Sequence, residues 1–193
     1  MNEMTLFEKA IIFAVEHHQG VIRKMEGNPY ILHPMEVAQI AAKIKNDDEL
    51  LAACMLHDTV EDTDATLDDI RNQFSERVAQ LVASETEDKY PGINPATTWR
   101  RRKEESLEEL MASEDEDVKI LWLADKLSNI RSLHRQYLKE GDQIFNYFNE
   151  KDPRQHRWYY RRIEILLSEL ADTDAYREYS RLLDVIFGEN ENE

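Results

Sequence analysis

Two histidines and two aspartates stand where an all-helical core should be apolar. His57 and Asp58 close the most hydrophobic stretch of the chain, which begins at Leu50, and Asp125 interrupts the second such stretch, Ile120-Leu-Trp-Leu-Ala-Asp-Lys-Leu127. His33 lies in the run Pro29-Tyr-Ile-Leu-His-Pro34, at the start of another helical pattern. A carboxylate in such a setting is costly unless it is paired or bound to a cation. Two imidazoles and two carboxylates form a mixed nitrogen–oxygen ligand set that suits one borderline divalent ion, Mn, Fe, Co or Zn, and leaves positions for water. Taken singly, each has a structural reading: His33 as a helix cap, Asp58 as the cap of the following turn, Asp125 as an ion-pair partner of Lys126 or Arg131. Their joint occurrence on the helices that should form the core favours the metal site. Asn129 follows Asp125 by four residues and so shares its helical face.

The elements that must position these groups read as helices almost throughout. Thr5 and Glu8 form a capping-box pattern ahead of Phe7, Ala10, Ile11, Ala14 and Val15. After a loop from Gly20 to Pro29, Pro34 suits the first turn of a helix with Val37, Ile40, Ala41 and Ile44 on one face. Asp47 or Asp48 caps the apolar helix from Leu50 to His57, whose lack of a polar side puts it at the centre. Thr66 and Ser75 open two shorter helices. A loop is expected from Asp88 to Thr98, a charged helix to about Met111, and the second apolar helix from Asp117 to His134. Between Lys139 and Pro153 one short helix fits, and helices from Arg154 to Leu170 and Asp174 to Phe187 complete the chain, the last stopped near Gly188. The expectation is an all-α, single compact bundle of about eight to ten helices. It covers residues 1–193, with a core at about 5–135, C-terminal helices at about 154–187 and an acidic tail at 188–193.

Composition narrows the function. Among 193 residues there are five glycines and five prolines, against both disorder and a turn-rich β fold. The 24 basic and 40 acidic residues give a net charge of −16, which repels nucleic acid and anionic membrane; extended binding to either is not expected. A phosphorylated small molecule needs cations concentrated locally, and Arg23-Lys24 and Arg100-Arg101-Arg102-Lys103 supply two clusters, each otherwise a solvated helix face. The lone Cys54 reads as a buried small hydrophobe in a reducing compartment. No signal peptide or membrane span is visible, so a cytoplasmic protein is expected. Oligomeric state stays open, a homo-oligomer included.

The ordered pattern His33 … His57-Asp58 … Asp125 resembles the signature of the HD superfamily of phosphohydrolases. The longer stretch His57-Asp-Thr-Val-Glu-Asp-Thr63, together with Arg23-Lys24, Pro29-Tyr-Ile-Leu-His-Pro34 and Leu123-Ala-Asp-Lys-Leu-Ser-Asn-Ile-Arg131, resembles the hydrolase domain of the RelA/SpoT alarmone enzymes. It looks most like their stand-alone small hydrolases, the metazoan SpoT homologue type. The resemblance implies hydrolysis of guanosine 3′,5′-bis(diphosphate) and the pentaphosphate at the 3′ position, releasing pyrophosphate and GDP or GTP. It further implies one Mn2+ ion, or another divalent metal, on His33, His57, Asp58 and Asp125, and it assigns Glu61 and Asp62 to catalysis. Both fall within one turn of the ligands, where they can orient a water and move its proton; for Asp62, an acidic turn capping the next helix is the competing reading.

For the nucleotide, the resemblance places Arg23 and Lys24 beside the substrate, Arg100 where a relative has a phosphate-contacting lysine, with Arg102 or Lys103 as alternatives, and Tyr159 where the small hydrolases carry a tyrosine. Plain packing of an aromatic helix face is an equal reading for Tyr159. Asn129 would hydrogen-bond the ribose or the scissile phosphate. The chain departs from the family at Trp122 and Ser128, and the second departure leaves the nucleotide open: NADPH or a nucleoside monophosphate on the same machinery, or a catalytically inactive nucleotide-binding module, are the alternatives.

Overall fold

In the computed structural model, residues 3–188 are described; the end of the acidic tail, 189–193, lies outside them. They form an all-α protein. Helices α1 (Leu6–His17), α2 (Leu32–Ala41), α3 (Asp48–Leu56), α4 (Thr59–Asp62), α5 (Leu67–Gln73) and α6 (Glu76–Ala83) are followed by α7 (Pro95–Ala112), α8 (Glu116–Glu140), α9 (Pro153–Leu166) and α10 (Asp174–Phe187), with 3-10 segments at Gly141–Tyr147 and Ser168–Leu170. The contacts group into two compact units.

The first unit comprises residues 1–23, 27–87 and 115–125. Its centre is α3, which packs against α1, α2 and α6; from Leu50 to Leu56 every side chain is buried, as an apolar-on-all-sides helix requires. The caps are the ones the sequence advertises. Asp47 accepts from the Glu49 and Leu50 N–H groups, Thr5 and Glu8 close a reciprocal capping box, and Ser75 caps α6. Asp48 also reaches across to the Leu6 N–H at 2.9 Å, seating the start of α1 on α3. The beginning of α8 is fixed by ion pairs: Arg77 of α6 grips both Asp115 and Asp117, and Lys45 reaches Asp117 at 2.5 Å. At a rise of about 1.5 Å per residue these anchors lie roughly 12 Å below Asp125 on the same rod. Trp122, the first family departure, is buried and donates its indole N–H to the Ser84 carbonyl at 3.1 Å, satisfying a carbonyl at the end of α6.

The second unit comprises 24–26, 88–114 and 126–193. There α9 packs against α7 and α10. Arg161 and Glu164 are both buried and bonded at 2.8 Å, and Arg161 also reaches Asp184 and the Gly188 carbonyl, each at 2.6 Å, tying α9 to the end of α10.

Boundaries shift at four places. Helix α2 opens at Leu32, ahead of Pro34, because the Tyr30 carbonyl already accepts from the His33 N–H at 2.9 Å. Helix α7 opens at Pro95, since Asn94 caps it and proline suits the first turn. Helix α8 runs on past His134 to Glu140, and α4 forms a separate turn after His57.

Candidate metal centre

The polar groups singled out in the core come from four elements of the first unit. His33 is the second residue of α2 and is 3% exposed. His57 ends α3, and Asp58 follows as the N-cap position of α4, although its side chain makes no capping bond. Asp125 sits on α8 at 4% exposure. His33 Nε2 lies 3.4 Å from Asp58 Oδ2 and 3.1 Å from Asp125 Oδ1; His57 Nε2 lies 3.0 Å and 3.5 Å from the same two oxygens. Ligand atoms of His33, His57 and Asp58 all fall within 4.8 Å of one another. For bonds of about 2.1 Å, two ligands sharing one ion stand roughly 3.0 Å apart at a right angle and about 3.4 Å apart at a tetrahedral one. The four observed separations bracket that range.

The direction of the lone pairs agrees. His57 Nδ1 lies 2.9 Å from the Cys54 carbonyl, so it carries the proton and donates it there, which leaves Nε2 as the ring's basic atom. That Nε2 is buried and 3.0 Å from Asp58 Oδ2, yet no well-aligned hydrogen bond joins them. A buried polar atom without a hydrogen bond is rare and costly; here it points where an ion would complete the set. Burial opposes charging of His57, but Asp58 and Asp125 outweigh it and raise the imidazole well above 6.5. Burial likewise opposes ionisation of Asp58, and His57 and His33 outweigh it, holding the carboxyl well below its usual range. Without an ion the cluster thus holds protons that a metal would displace.

Around this set, Asp62 is exposed and its backbone N–H bonds the Asp58 carbonyl at 2.9 Å; its charge acts on His18 and Tyr30. Glu61 is half-buried, and its Oε2 accepts from the Glu87 N–H at 3.2 Å. Arg23 is half-buried in a loop closed by an isolated antiparallel bridge between Ile22 and Pro29, and its N–H donates to Asn28 O at 2.9 Å. The turn between closes on Gly27, whose φ of 69° suits glycine.

Sequence reasoning missed Tyr30, whose hydroxyl donates to Asp58 Oδ2, and His18, buried behind it with ring centroids 4.8 Å apart. The signal was available: Tyr30 precedes His33 by three residues in the motif already quoted.

The remaining candidates belong to the second unit. Asn129 is half-buried on α8, one turn beyond Asp125, and Lys24 is exposed. The Arg100 guanidinium stacks 3.3 Å from the Trp158 ring centroid and bonds Glu104 at 2.7 Å and Gln155 at 2.8 Å. Arg102 is half-buried. Tyr159 is 4% exposed, with the Lys103 ammonium 4.8 Å over its ring. The basic run of α7 is thus laid along the aromatic run of α9.

The HD-domain family matches residues 10–153, a span that contains all four members of the cluster. The chain belongs to the HD-domain family. This HD domain is 38% identical over 128 residues to a guanosine-3′,5′-bis(diphosphate) 3′-pyrophosphohydrolase of Aquifex aeolicus, and 31% identical over 133 residues to a GTP pyrophosphokinase of Myxococcus xanthus; the alignments cover 65% and 68% of the chain. The chain spans 17% of the length of each. Among solved structures it is similar to lmo0812 of Listeria monocytogenes, at a TM-score of 0.70 and 33% identity over 85% of this chain and 99% of that one. It also shares the fold of a metazoan orthologue of SpoT that hydrolyses ppGpp, at a TM-score of 0.76 and 24% identity, covering 97% and 99% of the two chains. A His/Asp cluster of metal-ligand type is what an HD domain carries, and no helix among the described residues is long and apolar enough to cross a membrane.

Proposed function

We propose that this HD domain is a (p)ppGpp 3′-pyrophosphohydrolase: with one divalent ion, Mn2+, on His33, His57, Asp58 and Asp125, it cleaves the 3′-diphosphate of guanosine tetra- and pentaphosphate to give pyrophosphate and GDP or GTP. The observation that carries the reading is the placing of both imidazoles 3.0 to 3.5 Å from the Asp58 and Asp125 carboxylates, with His57 Nε2 buried and lacking a well-aligned hydrogen bond. The named activity of the Aquifex relative supports the substrate class. When bound, the ion supplies Lewis acidity toward phosphate and ionises water near neutral pH.

The chain's own residues do the rest. The Cys54 carbonyl fixes the His57 tautomer, so the ring presents a lone pair. Glu61 and Asp62, one turn from Asp58, take the proton of the attacking water and return one to the leaving oxygen. Arg23 offers a planar, permanently charged fork for phosphate or a face for the purine. Asn129 keeps the catalytic role, and Lys24, Arg100, Arg102 and Tyr159 the substrate-binding roles, that the family resemblance implies, and the chain acts as one cytoplasmic hydrolase domain.

The test is release of pyrophosphate from guanosine 3′,5′-bis(diphosphate) by purified protein with Mn2+, beside a panel that includes NADPH and nucleoside monophosphates. The guanosine alarmone should have the highest kcat/KM, and Asp58→Ala should abolish its turnover. A higher kcat/KM on another nucleotide moves the substrate and keeps the machinery; binding of the alarmone without turnover by the wild type sinks the enzyme.

A further inference from the structure

The chain carries a hydrogen-bond donor on the metal cluster that neither the motif nor the comparisons assign. Tyr30 sits between two imidazoles, its ring centroid 4.8 Å from that of His18 and 5.8 Å, edge-on, from that of His33. Its backbone is pinned on both sides: the Tyr30 N–H donates to the Val21 carbonyl, and its carbonyl accepts from the His33 N–H, both at 2.9 Å. The phenol has little rotational freedom left, and its hydroxyl donates to Asp58 Oδ2. That oxygen is the one lying 3.0 and 3.4 Å from the two imidazole nitrogens. Asp58 itself occupies the junction between α3 and α4, where its side chain caps nothing; apart from the imidazoles, Tyr30 is what fixes its rotamer.

Resting on the metal-dependent reading given above, we propose that Tyr30 is a positioning residue of the metal centre. Its hydroxyl holds the Asp58 carboxylate turned toward His33 and His57, so that the ligand set is formed before the ion arrives. His18 backs the ring: it is 4% exposed and in contact with Tyr30. A carboxylate that must find its rotamer during binding loses affinity to the entropy of ordering, and one held beforehand does not. Hydrogen bonds to ligands from such outer residues are worth about 10- to 100-fold in metal affinity.

Tyr30→Phe isolates this role, because it keeps every ring contact and removes only the donor. Titration of Mn2+ followed by the electron paramagnetic resonance of the unbound ion measures affinity without reference to turnover. The expected result is a dissociation constant raised about 10- to 100-fold in Tyr30→Phe, with an unchanged circular dichroism spectrum and with turnover largely recovered at saturating Mn2+. A merely structural role would leave the Mn2+ affinity in place. Should Tyr30→Phe fail to fold, 3-fluorotyrosine at position 30 keeps the shape and alters the strength of the donor; a severalfold shift in Mn2+ affinity is expected there. Wild-type affinity in either replacement overturns the role of Tyr30 alone. If the wild type takes up no Mn2+, or Asp58→Asn binds it as tightly as the wild type, the metal-centre reading itself fails.

Discussion

Each compact unit buries charge, and the two do it in opposite ways. In the second unit Arg161 spends its terminal nitrogens on directed hydrogen bonds, to Glu164, to Asp184 and to the Gly188 carbonyl. In the first, the imidazole nitrogens of His33 and His57 each lie 3.0 to 3.5 Å from carboxylate oxygens of Asp58 and Asp125, yet no well-aligned hydrogen bond satisfies His57 Nε2. A buried ion pair evolved for structure sets its charge against opposite charge, and Arg161 does so while leaving its Nε alone without a bond, an unmet donor being a loss to stability. A ligand set aims its lone pairs at a common centre and accepts that loss. Geometry of bonding, more than burial or charge count, therefore separates the two kinds of site.

Substitutions in the two clusters should part along the same line. The largest effect belongs to Asp58→Ala: Mn2+ affinity should fall by more than the roughly 100-fold ceiling of outer-shell changes, as read by the resonance of unbound Mn2+, while the helical circular dichroism spectrum is kept. Next, Arg161→Ala should lower stability by about 3–5 kcal/mol, the usual result of breaking one side of a buried pair, seen as an earlier urea midpoint, and leave Mn2+ affinity unchanged. A loss of ion binding in Arg161→Ala, with the fold intact, would erase the distinction.

The smallest effect lies in pH. His57 titrates well above 6.5 in the folded, metal-free protein, so its contribution to stability is complete below about 6.5 and declines as pH rises toward the folded value. Asp58, held well below its usual range, contributes above the unfolded carboxylate value of about 3.9 and loses this only as pH falls below it. The metal-free Tm should therefore be highest between about pH 4 and 6.5 as far as this cluster decides it, and should fall from pH 6.5 to 8.5. Added Mn2+ should reverse the trend, because it displaces the same protons and binds more tightly as pH rises. A metal-free Tm that climbs over that interval would contradict the assigned protonation.

Much of this was legible in residue types. The caps Thr5, Asp47 and Ser75 bond as their side chains suggest, since capping is a local matter settled within four residues. The cluster was legible because a polar residue in an apolar helix stands out against its neighbours. Less visible were features that depend on where distant segments meet. Arg100 reads as a phosphate ligand from its basic run, and its packing on Trp158 could not be foreseen from the run alone. Tyr30 looks like any tyrosine beside a proline until the Ile22–Pro29 bridge and the α3–α4 junction bring it to Asp58. The second family departure, Ser128, is fully buried, and its type alone says nothing of a nucleotide.

The bond from His57 Nδ1–H to the Cys54 carbonyl has a wider reach. The Cys54 carbonyl belongs to the last turn of α3, whose carbonyls have no partner within the helix, and the His57 ring N–H satisfies it. The same bond finishes a helix and chooses which nitrogen of that ring stays basic. Fraying of that last turn would release the imidazole to swap tautomers, so in the proposed metal centre ion retention would be coupled to local opening of the central helix.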